Sequence, residues 1–173
     1  MISTWHSHIP CAIVSCIVGL TLYFLQHGET IYSETGAYCW EVDAELTPEW
    51  AQMAEAFAQA YRSIPWTAAY VSPMKRTIAT AKPLCEAVGL EMQLRDGLKE
   101  IRYGKREDKT MDFVKEHYWD DYIHWLAQPA WNPPTGGETS VEISSRASTI
   151  ITEIQQKYAT GNVLVVSHKC SFQ

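Results

Sequence analysis

Short apolar runs alternate with longer amphipathic stretches along the chain. Leu20-Thr-Leu-Tyr-Phe-Leu25 is rich in strand formers, almost continuously apolar, and stops at Gln26-His27-Gly28. Such a run predicts a strand buried on both faces, as in a parallel sheet. Ala68-Ala-Tyr-Val-Ser72, ended by Pro73, reads the same way, and so does Asn162-Val-Leu-Val-Val-Ser167, followed at once by His168. Thr47-Pro48-Glu49 opens a helix, with Thr as cap, Pro at the first helical position and Glu in the first turn. Trp50, Met53, Ala54, Phe57, Tyr61 and Ile64 then follow at helical spacing. A second helix is expected from Arg76 to Val88, kinked or delayed by Pro83 and closed by Gly89. Thr110 to Leu126 predicts a third, with Met111, Val114, Tyr118, Tyr122, Trp125 and Leu126 on one side. Gln128 to Gly137 is a loop rich in Pro and Gly. Glu138 to Tyr158 is expected to form a fourth helix, with Val141, Ala147, Ile150, Ile151, Ile154 and Tyr158 inward and Gly161 as its end signal. Strands alternating with helices predict an α/β domain with a mostly parallel sheet and helices on both faces.

A length of 173 residues predicts one domain with a real core. Lys and Arg number 14 against 20 Asp and Glu, for a formal net charge of −6. A global basic footprint for nucleic acid is therefore absent, and an anionic substrate needs a local cationic pocket. Cys11, Cys16, Cys39, Cys85 and Cys170 make an odd count with no CxxC pair. That argues against a disulfide framework or zinc knuckle and for a reducing, cytoplasmic setting. Ile9 to Leu25 carries no charge, which raises a membrane or signal segment. Against it, no Lys or Arg precedes Arg62, the run is at the lower limit of a span, and Leu20 to Leu25 is better used as a strand. Residues 1–19 are accordingly expected to form an extension, its order unassigned, ahead of a domain over 20–173.

In open α/β sheets, ligands bind at the carboxyl ends of the strands. The first run delivers His27 there, and Gly28 lets a ligand approach the backbone closely. The second delivers Ser72 and, one helical turn on, Arg76; the third delivers His168. A lone histidine at a strand end is usually a satisfied polar residue, and a lone arginine at a helix start a surface charge. The weight rests on their convergence from equivalent ends. No carboxylate follows at HExxH-type spacing, which argues against a metal site. Arginine matches phosphate geometry, neutral histidine is a competent nucleophile toward phosphorus, and a second, protonated histidine would stabilise the equatorial oxygens. Leu98-Lys-Glu100-Ile-Arg-Tyr-Gly104 offers Glu100 as the acid for a leaving alcohol. Most of the tryptophans and tyrosines fall on helical stripes; Trp131, in the Pro-Gly loop, is the candidate lid residue.

Leu22-Tyr-Phe-Leu-Gln-His27-Gly-Glu-Thr30 resembles the LxxxRHGET signature of the histidine phosphatase superfamily, also called phosphoglycerate mutase-like. Ser72-Pro-Met-Lys-Arg76-Thr-Ile-Ala-Thr80-Ala81 resembles its SPxxRxxxTA element, and Leu98-Lys-Glu100 through Gly104 to Glu107 its LxExxxG…E segment. Pro134-Thr-Gly-Gly-Glu138 resembles its P-x-G-E loop, and Val163-Leu-Val-Val-Ser-His168 its VxxVSH element. The elements occur in order over roughly residues 20 to 170. The resemblance implies a three-layer α/β/α sandwich with a mostly parallel central sheet. It also implies a phosphomonoester hydrolase that needs no metal or other cofactor and acts on a small phosphorylated metabolite. His27 would take the phosphoryl group as a phosphohistidine, Arg76 and His168 would clamp its oxygens, and Glu100 would protonate the leaving group and then activate water. Gln26, Gly28, Thr30, Arg76 and Glu138 would contact substrate.

The chain departs from that pattern in named places. Gln26 stands where the signature has an arginine that anchors phosphate; losing one charged transition-state contact typically costs about 10²–10³ in rate. The chain ends five residues after His168, where family members continue with a helix and further sheet, so the domain is expected to be C-terminally incomplete. Arg106-Glu107-Asp108 replaces the family's Trp-Glu-Gly and reads as a solvated turn. The alternatives to hydrolysis are a non-catalytic phosphate-binding pseudoenzyme and an inactive family fragment. A phosphoglycerate mutase ranks below hydrolysis, because Arg102, Lys105 and Arg106 read as well as a solvated face as they do as a cationic pocket.

Overall fold

The three apolar runs pair in a single sheet. The computed structural model describes residues 12–17, 19–40 and 42–169. In chain order the strands and helices are β1 (Ala12–Ile17), β2 (Leu20–Gln26), α1 (Ile31–Thr35), α2 (Pro48–Tyr61), β3 (Trp66–Val71), α3 (Lys75–Val88), β4 (Met92–Leu94), α4 (Met111–His117), α5 (Trp119–Ala127), α6 (Ser140–Lys157) and β5 (Gly161–Ser167). The sheet order is β1-β2-β5-β3-β4. β2, β5, β3 and β4 are parallel, and β1 lies antiparallel on the edge of β2. The apolar runs are continuous because the central strands are covered on both faces. Leu164 and Val166 of β5 join Leu25, Val71, Phe57 and Leu84 on one side, beneath α2 and α3. Val163 and Val165 join Leu22, Tyr70, Ile150 and Ile154 on the other, beneath α6. The result is the three-layer α/β/α sandwich that the sequence predicts.

The differences have local causes. Pro83 does not delay or break α3, which runs unbroken from Lys75 to Val88. Burial of Thr80, Ala81, Leu84 and Cys85 on either side of the proline holds the helix across the lost hydrogen bond. The expected third helix is two, broken at Tyr118 (φ −135°, ψ 39°). Asp120 and Asp121 sit in the first turn of the second piece, where the helix dipole favours carboxylates. Val114 is buried, but Met111 and Leu126 are exposed rather than inward. The fourth helix begins at Ser140, capped by Thr139 in a capping box with Glu142. Glu138 is drawn instead into an ion pair with Arg146, and the shifted start leaves Val141 exposed and buries Ile143.

The segment expected to lie ahead of the sheet contributes its edge strand, β1, over residues 12–17. Residues 1–11 and the tail Cys170–Gln173 lie outside the described residues. β4 and α1 are further elements that the pattern reading does not contain. Among the described residues, no helix is long and apolar enough to cross a membrane.

Leu164 is fully buried in the central strand. Leu164→Ala is expected to lower the unfolding free energy by about 2–5 kcal/mol, read as a reduced denaturant midpoint at unchanged slope.

Candidate active site

Parallel register brings the strand ends level. Gln26 pairs with Ser167, and Val71 pairs with Val166. The ladder runs one bond further on each side: His27 N–H donates to the Ser167 carbonyl (3.1 Å) and Ser72 N–H to the Val166 carbonyl (3.0 Å). His27, Ser72 and His168 therefore leave the sheet at one edge. The imidazole rings of His27 and His168 meet edge to face with centroids 4.9 Å apart. Gly28 is buried, and a Cβ there would come within 2.9 Å of the Trp50 side chain. Its N–H donates to Thr80 Oγ1 (3.1 Å), and the Thr80 hydroxyl donates to the Arg76 carbonyl (2.8 Å).

The protonation of His27 follows from its partner. Nδ1 lies 2.6 Å from the Gly28 carbonyl. A carbonyl only accepts, so Nδ1 carries the hydrogen and Nε2 keeps its lone pair. Burial pushes the pKa down to about 4; the Gly28 hydrogen bond opposes the shift and the Arg76 charge adds to it. His168 is fully buried. Its pKa is held well below 6.5 by burial first, then by His27, Arg76 and Arg146. Its Nε2 lies 2.9 Å from Ser72 Oγ, and its buried Nδ1 has no hydrogen-bond partner among the described residues. The protonated second histidine expected from the sequence is thus disfavoured, because burial and neighbouring cations oppose a charge there. An approaching anion reverses that balance.

Arg76 is only 2% exposed. It donates to the Val42 carbonyl (3.3 Å) and the Cys39 carbonyl (3.2 Å), and no carboxylate among the described residues pairs with it. A buried guanidinium satisfied only by neutral acceptors is costly to hold and attracts an anion strongly. The loop that supplies those acceptors is itself tied down. Glu107 Oε1 accepts from Trp40 N–H (2.6 Å) and Val42 N–H (3.3 Å), and Asp43 accepts from the Lys75 N–H at the start of α3 (2.7 Å). The turn around Glu107 is therefore not a solvated one. Arg106 is fully buried, paired with Asp121 at 2.7 Å and packed over the Trp125 ring at 5.1 Å. Arg102 and Lys105 are exposed, so these three cations do not form one cluster.

Glu100 is buried, and its Oε1 accepts from Ile101 N–H (2.8 Å). Its segment is anchored to the sheet edge by Ser167, whose hydroxyl donates to the Leu98 carbonyl (2.7 Å). Two expected substrate contacts are occupied within the fold. Glu138 accepts from Arg146 Nε (2.9 Å) and Arg102 N–H (3.2 Å), and Thr30 caps α1 through Ser33. Gln26 ends β2, half-buried, in register with Ser167. Trp131 is 76% exposed. Among the described residues, no three of His, Cys, Asp and Glu cluster as metal ligands. Thr80, Glu107 and Arg146 carry contacts at this edge that residue types alone did not assign. Thr80 lies inside the SPxxRxxxTA element, and Arg146 follows Glu138 by about two helical turns, which are the available signals.

A three-layer sandwich whose central parallel strands end in facing histidines beside a buried arginine defines a phosphoglycerate mutase-like protein. The chain matches the histidine phosphatase superfamily (branch 1) over residues 22–172 and belongs to it. It is 29% identical over 147 residues to phosphoserine phosphatase 1 of Hydrogenobacter thermophilus, covering 85% of this chain and 70% of that one. It is 28% identical over 151 residues to a Yersinia pestis protein whose name places it among the phosphoglycerate mutases, covering 86% of this chain and 69% of that one. The solved structure of the α-ribazole phosphatase from Shigella flexneri superposes with a TM-score of 0.80 at 22% identity, over 87% of this chain and 75% of that one. That likeness concerns the fold.

A histidine with a depressed folded pKa leaves the unfolded chain holding more protons between the two values, so stability rises with pH across that window. For His27 the window runs from about 4 to 6.5. The melting temperature is expected to fall as pH drops from 6.5 toward 4, less steeply in His27→Gln, as read by scanning calorimetry in a pH series. Equal slopes in the two proteins would contradict a neutral, buried His27.

Proposed function

We propose that this chain is a phosphomonoester hydrolase that works through a phosphohistidine at His27. The observation that carries the reading is His27 itself: Nδ1–H is held on the Gly28 carbonyl, so the lone pair of Nε2 is available, beside the buried guanidinium of Arg76. Nε2 attacks phosphorus and the bond to the leaving oxygen breaks. Glu100, as a carboxylic acid, gives that oxygen its proton. The resulting carboxylate then takes a proton from water as the water attacks phosphorus. The N–P bond breaks, inorganic phosphate leaves, and Glu100 is an acid again. Arg76 and His168 hold the phosphoryl oxygens, and Gln26 offers an amide donor where the signature has an arginine. These steps use side chains and one water molecule.

The substrate is a small phosphorylated metabolite. The name of one relative supports that class, being that of a phosphatase for phosphoserine. Cys39 and Cys85 are free thiols, which fits a cytoplasmic setting. Gln26 favours one rival, a phosphate-binding protein without turnover.

His27→Ala is expected to abolish phosphate release from monoesters while leaving the melting temperature near the parent value; undiminished release would overturn the reading. Gln26→Arg is expected to raise kcat/KM by about tenfold or more, by restoring a charged contact to the phosphoryl group. Millimolar vanadate is expected to raise the melting temperature of the parent chain. A vanadate shift with no turnover of any ester would favour the binding protein.

A further inference from the structure

Arg146 projects from α6 onto the segment that carries Glu100, and all of its donor capacity is used there. Nη1 donates to the carbonyls of Gly97 (2.9 Å) and Lys99 (2.6 Å). Nη2 donates to the carbonyl of Glu100 (2.8 Å) and to Glu138 Oε2 (3.1 Å), and Nε donates to Glu138 Oε1 (2.9 Å). A guanidinium has five N–H groups in a rigid fork, and each has an acceptor. Three carbonyls of an irregular segment are thus turned toward one side chain. Glu138 supplies the counter-charge and also accepts from Arg102 N–H, which fastens the far side of the same segment. Gly97 lets the backbone come this close: a Cβ there would meet Ile150 Cγ1 at 2.8 Å and the Arg146 carbonyl at 2.9 Å.

The Glu100 carboxylate accepts from the very next backbone N–H, that of Ile101. That bond ties its place to where the backbone runs, and Arg146 holds that backbone. We propose that Arg146 is a positioning residue, which holds Glu100 where its carboxyl group meets the leaving oxygen. Ser167 fixes the same segment to the end of β5 through Leu98, so Arg146 and Ser167 together align Glu100 with the histidine edge. This rests on the reading of Glu100 as the acid.

A residue that places a general acid is distinguished from one that only stabilises the fold by the leaving group. An alkoxide needs a proton as it departs; a dinitrophenolate does not. The test compares kcat/KM for an alkyl phosphate and for 2,4-dinitrophenyl phosphate, in the parent, Glu100→Gln and Arg146→Gln. Because kcat/KM reports the first phosphoryl transfer, slow breakdown of the phosphohistidine does not mask the difference. Glu100→Gln is expected to lower the alkyl-to-dinitrophenyl ratio by about 10² or more. Arg146→Gln is expected to lower the same ratio by about tenfold or more, since an ångström of misplacement costs rate steeply. Inorganic phosphate should inhibit both variants as it does the parent.

Equal loss on both esters in Arg146→Gln, with the ratio reduced in Glu100→Gln, overturns the positioning role and leaves the acid in place. An unchanged ratio in Glu100→Gln overturns both. If Arg146→Gln fails to fold, Arg146→Lys is read in the same way; its ammonium retains the charge but cannot serve five acceptors.

Discussion

The parallel pairing of β5 with β2 on one side and β3 on the other is the constraint from which the site follows. Register in such a strand is set by what it buries. Val163 and Val165 face α6 while Leu164 and Val166 face α2 and α3. A slip of one residue would exchange the two faces and move every side chain at the strand end. The position of His168 relative to His27 and Ser72 is thus a product of core packing, and the 4.9 Å approach of the two rings needs no separate device.

Around that edge, a chain of net charge −6 buries or half-buries several arginines, and the fold treats them differently. Arg106 is neutralised by Asp121 and covered by an indole ring. Arg146 is neutralised by Glu138 and spends its other donors on backbone. Arg76 receives only the Val42 and Cys39 carbonyls. Of the buried and half-buried arginines, the one left without a carboxylate among the described residues is the one beside the histidines. That contrast separates cations committed to structure from one left available to an anion, which burial alone does not.

Much of the sheet was legible in the sequence because its central strands are apolar on both faces and each ends abruptly in a polar residue of distinctive chemistry. His27, Ser72 and His168 could be placed at one edge from that alone. What stayed hidden depends on partners far along the chain. β4 is three residues long and offers no alternation to read. The break at Tyr118 reflects Asp121 reaching Arg106 and Thr135, which no helical spacing reports. Arg106 looked solvated because a charge in a turn usually is, and its burial needs Asp121 and Trp125 to fold back over it. Glu138 and Thr30 fit the motif positions but are committed to Arg146 and to the α1 cap. Gln26 was legible as a departure, and its half-buried place at the end of β2 keeps it beside His27 without making it a cation.

The sheet order has a consequence for how the protein is made. β2 and β3 do not pair with each other; each pairs with β5, which a ribosome releases after the other strands described. Before Gly161–Ser167 emerges, the nascent chain can form one ribbon of β1 with β2 and another of β3 with β4, each with a bare apolar edge of the right polarity for the other's missing neighbour. Unpaired edges of this kind are where growing chains stick to one another. Those two edges therefore stay bare through synthesis of α6, and insertion of one seven-residue strand covers both at once.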